Sequence, residues 1–571
     1  MKRAFIRHAF LIAGSVALAG CGNSGSGASG TGGTVGSGGG TATGGGTATG
    51  GSSARGGSTG SGGTGGSHAT GGTGGSVATG GTSGGGAAGT GGAAGKGGTG
   101  GSQGGSQGGS QGGSHGGSTG GVTGTAGARG GSTGTGGSAI TDGGVAVATP
   151  SFDWVGVVGT GQSLSVGTTP ANLTTQPYNN KMLALGSATV PGTGSDPWDP
   201  TVSGLTIVPL VEPVRALETT YPSPYPGNIY GETPHSAMAN EITRFVRAAS
   251  AASDYITVHT VVGESGQGVV ALVKQTGSTT GTTGRAYAAS LFEVGAIDRL
   301  AKAAGKSYGV GVVVLTHGET DCNNTGYGDA IVQLASDYNT DITAITGQTY
   351  AIPMYLSQQH GCPGAPACTA STDTRPTAND FEWQLPVQHP GQFVCTGPKY
   401  QYPAHSDGDG IHLNVTGYEL LGEKTAQVYY QRAVLGQNWQ PLAPINVSRS
   451  GNVVTVQFHV PVAPLNWDTT FDAPNVTEFK NGKGFELFTS GGNVTIGSVA
   501  ISGDSVQITA SGTLPTSGLT VAYALVNQKK QLSNHSKAVR WGQLRDSDPF
   551  MGATTKMPNP NYAVSFSLPV P

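Results

Sequence analysis

The sequence predicts an α/β domain on a mostly parallel, doubly wound sheet, followed by an antiparallel β-sandwich. Three observations carry this. Apolar runs alternate with helical stripes from Trp154 to about Leu435. After Asn438 the apolar period drops to two residues. Ahead of both lies sequence with almost nothing to bury, for 60 of the 104 glycines precede residue 150. Strand–helix alternation builds a parallel sheet covered on both faces, whereas a run of short alternating strands builds a sandwich.

The first 21 residues read as a targeting segment. Lys2, Arg3 and Arg7 precede the apolar stretch Ala9 to Ala19, which is too short to span a bilayer. Leu18-Ala19-Gly20-Cys21 resembles the bacterial lipobox, which implies cleavage before Cys21 and lipidation of its thiol. Gly22, rather than aspartate, follows the cysteine, so the expected location is the outer membrane or cell surface, or release outside the cell. Residues 22–147 are Gly, Ser, Thr and Ala with few charges, and the Gly-Gly-Ser-Gln repeat from Gly100 marks low complexity. They read as a tether with an r.m.s. span of roughly 60 Å.

The net charge of -3 gives no basic field for nucleic acid, and the membrane is expected to be met only through the lipid anchor. With Cys21 spent, Cys322, Cys362, Cys368 and Cys395 remain, in an oxidising compartment. Two disulfides are expected, Cys362–Cys368 across a short loop and Cys322–Cys395. A metal site is the competing reading, but there is no CxxC pair or histidine spacing for it, and no cofactor is expected.

Residues 148–437 form the α/β region. Trp154 to Gly159 reads as a strand. Met238, Ile242, Phe245 and Val246 have helical spacing behind Pro234, a suitable first-turn residue. Tyr255 to Val262 is strand-like, and Tyr287, Leu291, Val294 and Ile297 line a helix. Tyr308 to Leu315 is continuously apolar, as a buried parallel strand should be. Ile331, Leu334, Tyr338, Ile342 and Ile345 form the clearest helical stripe, and Tyr350 to Leu356 another strand. Thr416 and Glu419 suggest a capping box for the last helix. Residues 438–571 alternate at Val454, Val456, Phe458 and Val460, at Val506 and Ile508, and at Val521, Tyr523 and Leu525, which predicts the sandwich.

Four short blocks fall at the ends of the predicted parallel strands, where such sheets bind ligands. Gly161-Gln162-Ser163 offers a hydroxyl after a strand, with Ser165 as the alternative nucleophile. Asp409-Gly410-Ile411-His412 places a carboxylate and an imidazole on one loop, where Asp409 can fix the tautomer of His412. Gly263 to Gly268 lets backbone N–H groups approach an oxyanion, with Gly266 or Gly268 as donor beside the N–H of Ser163. Thr316-His317-Gly318-Glu319-Thr320-Asp321 offers the His317 N–H to the same oxyanion, with Gln162, Glu319 and Asp321 as loop supports. Trp383 and the tyrosines near Tyr402 are candidates for sugar stacking or for core packing.

Together the four blocks resemble the SGNH (GDSL-type) hydrolases over residues 152–436. Gly-Gln-Ser-Leu and His-Gly-Glu-Thr-Asp are similar to the sialate O-acetylesterase-like and acetylxylan-esterase-like branch. Leu164 stands where that branch usually has asparagine, and His317 where it usually has glutamine. The resemblance implies a flavodoxin-like α/β/α fold and hydrolysis of ester-linked acyl groups, often acetyl on carbohydrate, by Ser163, His412 and Asp409. A lipase, thioesterase or aryl-esterase would use the same residues. A carbohydrate-binding surface protein without catalysis is the reading from another class. The accessory sandwich carries Arg540-Trp541-Gly542 and Arg545-Asp546-Ser547-Asp548-Pro549, to which no role attaches from sequence.

Overall fold

The computed structural model describes residues 148–167, 170–185, 199–214, 231–250, 254–275, 282–359, 361, 378–402, 409, 411–470, 481–525 and 540–571. Cys21, the tether, Cys362 and Cys368 lie outside the described residues. All the described residues fall in one compact unit.

The first half is a three-layer α/β/α sandwich. Its strands are β1 (Trp154–Gly161), β2 (Lys181–Ala184), β3 (Thr206–Pro209), β4 (Ile256–Val261), β5 (Tyr308–Thr316), β6 (Met354–Gln358) and β7 (Phe393–Pro398). They lie in the order β3-β2-β4-β1-β5-β6-β7. Every neighbouring pair is parallel except β2 with β3, so the one antiparallel strand sits at the edge. The chain fills the β4 side of β1 first and then crosses to β5, which makes the gap between β1 and β5 the switch point of the winding. Ligands of open α/β sheets bind outside that crevice, beyond the carboxyl ends of the strands.

Strand residues alternate between the faces. Trp154, Val158, Val258 and Val313 pack with Phe292, Ile297, Ile331 and Tyr338, which come from helices α3 (Arg285–Ala303) and α4 (Tyr327–Thr346). Val155, Val157, Val312 and Val314 pack on the other face with Met238 and Ile242 of α2 (Pro234–Ala249) and with Val428 of α6 (Val415–Tyr429). Thr233 caps α2, its hydroxyl accepting from His235 N at 3.2 Å, ahead of the first-turn proline. The last helix starts differently from the capping-box expectation. Asn414 is its N-cap, accepting from Gly417 N at 3.0 Å, because Glu419 is engaged with the Asn172 amide at 2.6 Å. A one-turn helix α1 (Ser163–Val166), α5 (Ala378–Gln388) and β7 carry no sequence pattern strong enough to announce them.

The second half holds two four-stranded antiparallel sheets. One has β8 (Ala443–Ser450), β9 (Val453–His459), β13 (Ile496–Ser502) and β14 (Ser505–Ala510); the other has β11 (Phe485–Thr489), β12 (Gly492–Val494), β15 (Thr520–Tyr523) and β17 (Phe566–Pro569); β10 (Asn466–Trp467) and β16 (Leu544–Arg545) pair as a short ribbon. The alternating residues Val454, Val456, Phe458, Val506, Ile508, Val521 and Tyr523 form their shared core, as a sandwich requires.

That core does not stop at the boundary read from sequence. Trp383, Cys395 and Tyr400 belong to it, and all three come from the α/β half. Trp383 is 8% exposed and Tyr402 3%, so these aromatics are packing residues and not sugar platforms. The expected Cys322–Cys395 bridge is overturned by the same packing. Cys395 sits buried within β7 as a free thiol, while Cys322 is disulfide-bonded to a partner outside the described residues.

Residues 540–566 cover the α/β half with polar contacts. Glu423 of α6 accepts from Thr554 N at 2.7 Å and Thr555 N at 3.0 Å. The buried Lys424 donates to Asn561 at 2.8 Å, and Gln427 to Asp548 at 2.7 Å. Gln358, at the end of β6, exchanges two hydrogen bonds with the backbone of Ser565, at 2.8 and 2.9 Å. Asp546 is fully buried and accepts from Val462 N and Asn561 N, each at 3.0 Å. The Arg-Asp-Ser-Asp run is thus a knot that fastens the second half to α6. A chain ending at residue 437 would expose Trp383 and Tyr400, each large aromatic surface being worth about 1.5–3 kcal/mol when buried. Calorimetry of residues 148–571 is expected to show one cooperative transition, and the 148–437 piece none. Two separate transitions, or a cooperatively melting 148–437 piece, would contradict the shared core.

Candidate active site

The carboxyl ends of β1, β4 and β5 meet through glycines. Gly161 ends β1 with φ +143°, and a Cβ there would sit 2.1 Å from Thr316 O. Gln162 N donates to that same carbonyl at 3.2 Å, and Glu264 N to Gly161 O at 2.9 Å. A Cβ on Gly263 would lie 2.4 Å from Gly161 O, so the strand ends close on one another only because both residues lack side chains. Ser163 then opens the single turn α1, 5% exposed.

Ser163, His412 and Asp409 are brought together across 249 residues of sequence. Ser163 Oγ lies 2.7 Å from His412 Nε2, and His412 Nδ1 lies 2.7 Å from Asp409 Oδ2. Asp409 Oδ1 accepts from the backbone N–H of Ile411 at 2.6 Å and of His412 at 2.8 Å. Burial works to raise the Asp409 carboxyl, but the hydrogen bond from the His412 ring, the two backbone donors and the His412 charge outweigh it and hold the group well below the usual carboxylate range. An ionised Asp409 requires the proton of His412 on Nδ1, which leaves Nε2 as the acceptor facing the serine hydroxyl. Ser165 Oγ, the alternative nucleophile, is buried without a hydrogen-bond partner among the described residues.

The other blocks serve as scaffold around this relay. Gly266 has φ +71° with open space beside it, and neither its N–H nor that of Ser163 donates to any described residue. Gly268 packs against Asp321, which also accepts from Val269 N at 2.5 Å and pins the 3-10 turn after the glycine block. His317 departs from the sequence expectation of an oxyanion donor. It is fully buried, with Nε2 3.0 Å from Gln267 O and Nδ1 3.2 Å from the Tyr327 hydroxyl. Both ring nitrogens are spent on protein, so the ring ties the end of β5 to the glycine block. Burial lowers its pKa and keeps it neutral.

Glu319 is fully buried and accepts from the Gln162 amide at 2.8 Å. Its other oxygen faces Lys399 Nζ at 2.8 Å. Glu264, next to Gly263, is clasped by Arg285, whose Nη2 donates at 2.9 Å. Sequence reasoning passed over Lys399 and Arg285, since neither stands in a patterned block and only the fold brings each to its carboxylate. Among the described residues no cluster of His, Cys, Asp and Glu side chains is arranged to hold a metal ion, and no helix is long and apolar enough to cross a membrane.

No family model matches this chain, and no curated protein does. Among solved structures it is similar to a carbohydrate acetylesterase from Xanthomonas citri, at 11% identity and a TM-score of 0.43, over 72% of this chain and 80% of that one. It is also similar to a protein from Arabidopsis thaliana, at 14% identity and a TM-score of 0.33, over 49% and 98% of the two chains. A third likeness is to a carbohydrate acetylesterase from Sinorhizobium meliloti, at 13% identity and a TM-score of 0.25, over 48% and 97%. At such identities and scores these likenesses carry no statement about the activity of this chain.

Behind the nucleophile turn lies a buried pair of carboxyls. A Cβ on Gly167, which ends α1, would sit 2.6 Å from Glu232 O. Glu232 accepts from Asn172 N at 2.6 Å and Leu173 N at 3.1 Å, while Glu212 accepts from the Thr233 hydroxyl at 2.7 Å and Val214 N at 3.0 Å. Burial first, and then the charge of Glu232, raises Glu212 to about 8. Burial is also the main cause that raises Glu232. A carboxyl whose folded pKa is raised stabilises the fold below its unfolded pKa and loses that contribution as pH rises through the folded one. Melting temperature is therefore expected to fall between pH about 4.5 and about 8, and Glu212→Gln to flatten that fall. An unchanged pH slope in the variant would show that Glu212 titrates alike folded and unfolded.

Proposed function

We propose that this chain is a serine esterase that removes acyl groups, acetyl foremost, from carbohydrate. The observation that carries the reading is the unbroken relay from Ser163 Oγ through the His412 ring to an ionised Asp409, both links at 2.7 Å. Such a relay activates a hydroxyl that is otherwise a weak nucleophile. Ser163 Oγ attacks the ester carbonyl while His412 Nε2 takes its proton. The N–H groups of Ser163 and Gly266, which donate to no described residue, are the candidates to hold the oxyanion, and His317 holds the adjoining Gln267. The imidazolium then protonates the departing alcohol, here a sugar hydroxyl. Water, deprotonated by His412, releases the acid and restores Ser163.

The carbohydrate and acetyl parts of the proposal rest on the sequence: the Gly-Gln-Ser and His-Gly-Glu-Thr-Asp blocks and the leader that ends in Leu-Ala-Gly-Cys. In this reading Cys21 carries the lipid, residues 22–147 are the tether, and the enzyme works on acylated carbohydrate at the cell surface. The expected measurement is acetate release from acetylated xylan, from O-acetylated sialic acid and from p-nitrophenyl acetate. Ser163→Ala should lower kcat by about 10⁴-fold or more, since loss of a triad serine leaves only binding and oxyanion stabilisation. Hydrolysis of the aryl ester alone would keep the triad and remove the carbohydrate assignment. Full activity in Ser163→Ala would remove the esterase.

A further inference from the structure

Lys399 is a buried cation that touches no part of the relay. It opens the 3-10 turn after β7 and is fully buried, a rare state for a lysine. Its ammonium lies 2.8 Å from Glu319 Oε1 and donates to His317 O at 3.1 Å. It therefore holds the loop after β5 at two points, residues 317 and 319. That loop in turn holds both ends of the Gln162 amide. Glu319 Oε2 accepts from Gln162 Nε2 at 2.8 Å, and Gln162 Oε1 accepts from Thr320 N at 3.4 Å. Gln162 is 2% exposed and is bonded directly to Ser163.

We propose that Lys399 is a positioning residue for the nucleophile, acting through Glu319 and Gln162 to fix the turn that presents Ser163 to His412. The inference rests on the esterase reading and adds a residue that none of the four blocks contains. The groups facing Lys399 are consistent with the role. Glu382 from α5 is the second carboxyl near it, and burial raises that group well above the carboxylate range. The Glu382 carboxyl accepts from Gln359 N at 2.7 Å, and Gln359 in turn accepts from Arg540 Nε at 3.0 Å. Glu319 is the carboxylate that the ammonium of Lys399 meets at 2.8 Å, both fully buried, and removing one partner of a buried pair leaves the other poorly placed. Movement of Glu319 would loosen its grip on Gln162. Displacing a nucleophile by about 1 Å from its base can cost up to about 10²-fold in rate.

The test is a double-mutant cycle on the full chain with p-nitrophenyl acetate, read together with phosphonylation of Ser163 by a fluorophosphonate probe. Lys399→Met and Gln162→Ala are each expected to lower kcat by about tenfold while KM moves less than about threefold, and to slow labelling of Ser163 in proportion. The double variant should be no slower than the worse single one, because the two act along one chain. Additive losses, or a lower melting temperature with kcat and labelling unchanged, would overturn the proposal. If Lys399→Met does not fold, Glu319→Gln takes its place, since it keeps the side-chain volume and removes the charge that Lys399 answers; unchanged kcat there overturns the proposal equally. A wild-type chain that neither hydrolyses the ester nor reacts with the probe fails the esterase reading instead.

Discussion

Everything at the candidate site hangs on the close approach of β1 to β5. Gly161 lies where any side chain would strike Thr316 O, and Gly263 lies where one would strike Gly161 O. Parallel strands normally diverge into loops at their carboxyl ends. Here the two glycines let backbone pair with backbone one step further, through Gln162 N to Thr316 O and Glu264 N to Gly161 O. The chain must then turn sharply, and the first residue of that turn is Ser163. The position of the hydroxyl is thereby set by main-chain hydrogen bonds at the centre of the sheet. His412 reaches it from a loop that is itself anchored by the N-cap of α6 and by the two backbone donors on Asp409.

The second half of the chain is a support for α6 as much as a domain of its own. Every residue of α6 from Gly417 to Tyr429 is buried, including Glu423 and Lys424. A helix of an open α/β sheet ordinarily turns a polar face to water. This one is covered by residues 546–561, which supply partners for Glu423, Lys424 and Gln427. Arg540 makes a second junction from the same region, donating to Gln359 within reach of Glu382. The helix that follows the loop bearing Asp409 and His412 is therefore braced from the second half, and so is the end of β6.

The sequence was informative where chemistry is local. Strand glycines, a serine after a strand, and an aspartate three residues before a histidine are short-range patterns, and the structure brings Ser163, Asp409 and His412 together. The helical stripes and the alternating strands of the sandwich were likewise legible, because periodicity records which face is buried. Lys399 was not, since a buried lysine is indistinguishable in sequence from a solvated one and its carboxylate is 80 residues away. Cys395 was misread for a related reason. Disulfide arithmetic counts thiols, whereas burial inside β7 accompanies the one that stays free. β7 escaped because all its residues are buried, and α5 because it buries Asn379, Asp380 and Glu382 while exposing Val387, which inverts the usual pattern.

His317 shows how the buried network resolves its protons. A carbonyl only accepts, so the contact with Gln267 O requires the hydrogen on Nε2. Nδ1 is then an acceptor and takes the hydroxyl proton of Tyr327. The Tyr327 hydroxyl also points a longer hydrogen bond at Glu382 Oε1, 3.4 Å away, so its one proton is shared between the histidine and the carboxyl. Burial raises Glu382 well above the carboxylate range. Its other oxygen remains free to accept from Gln359 N. Glu382 and His317 thus share one tyrosine hydroxyl, and the histidine in turn holds Gln267, the residue after Gly266. A glutamine at position 317 could satisfy Gln267 O without this relay. The histidine ties the glycine block instead to α4 and α5, and through Glu382 to the same pocket that holds Lys399.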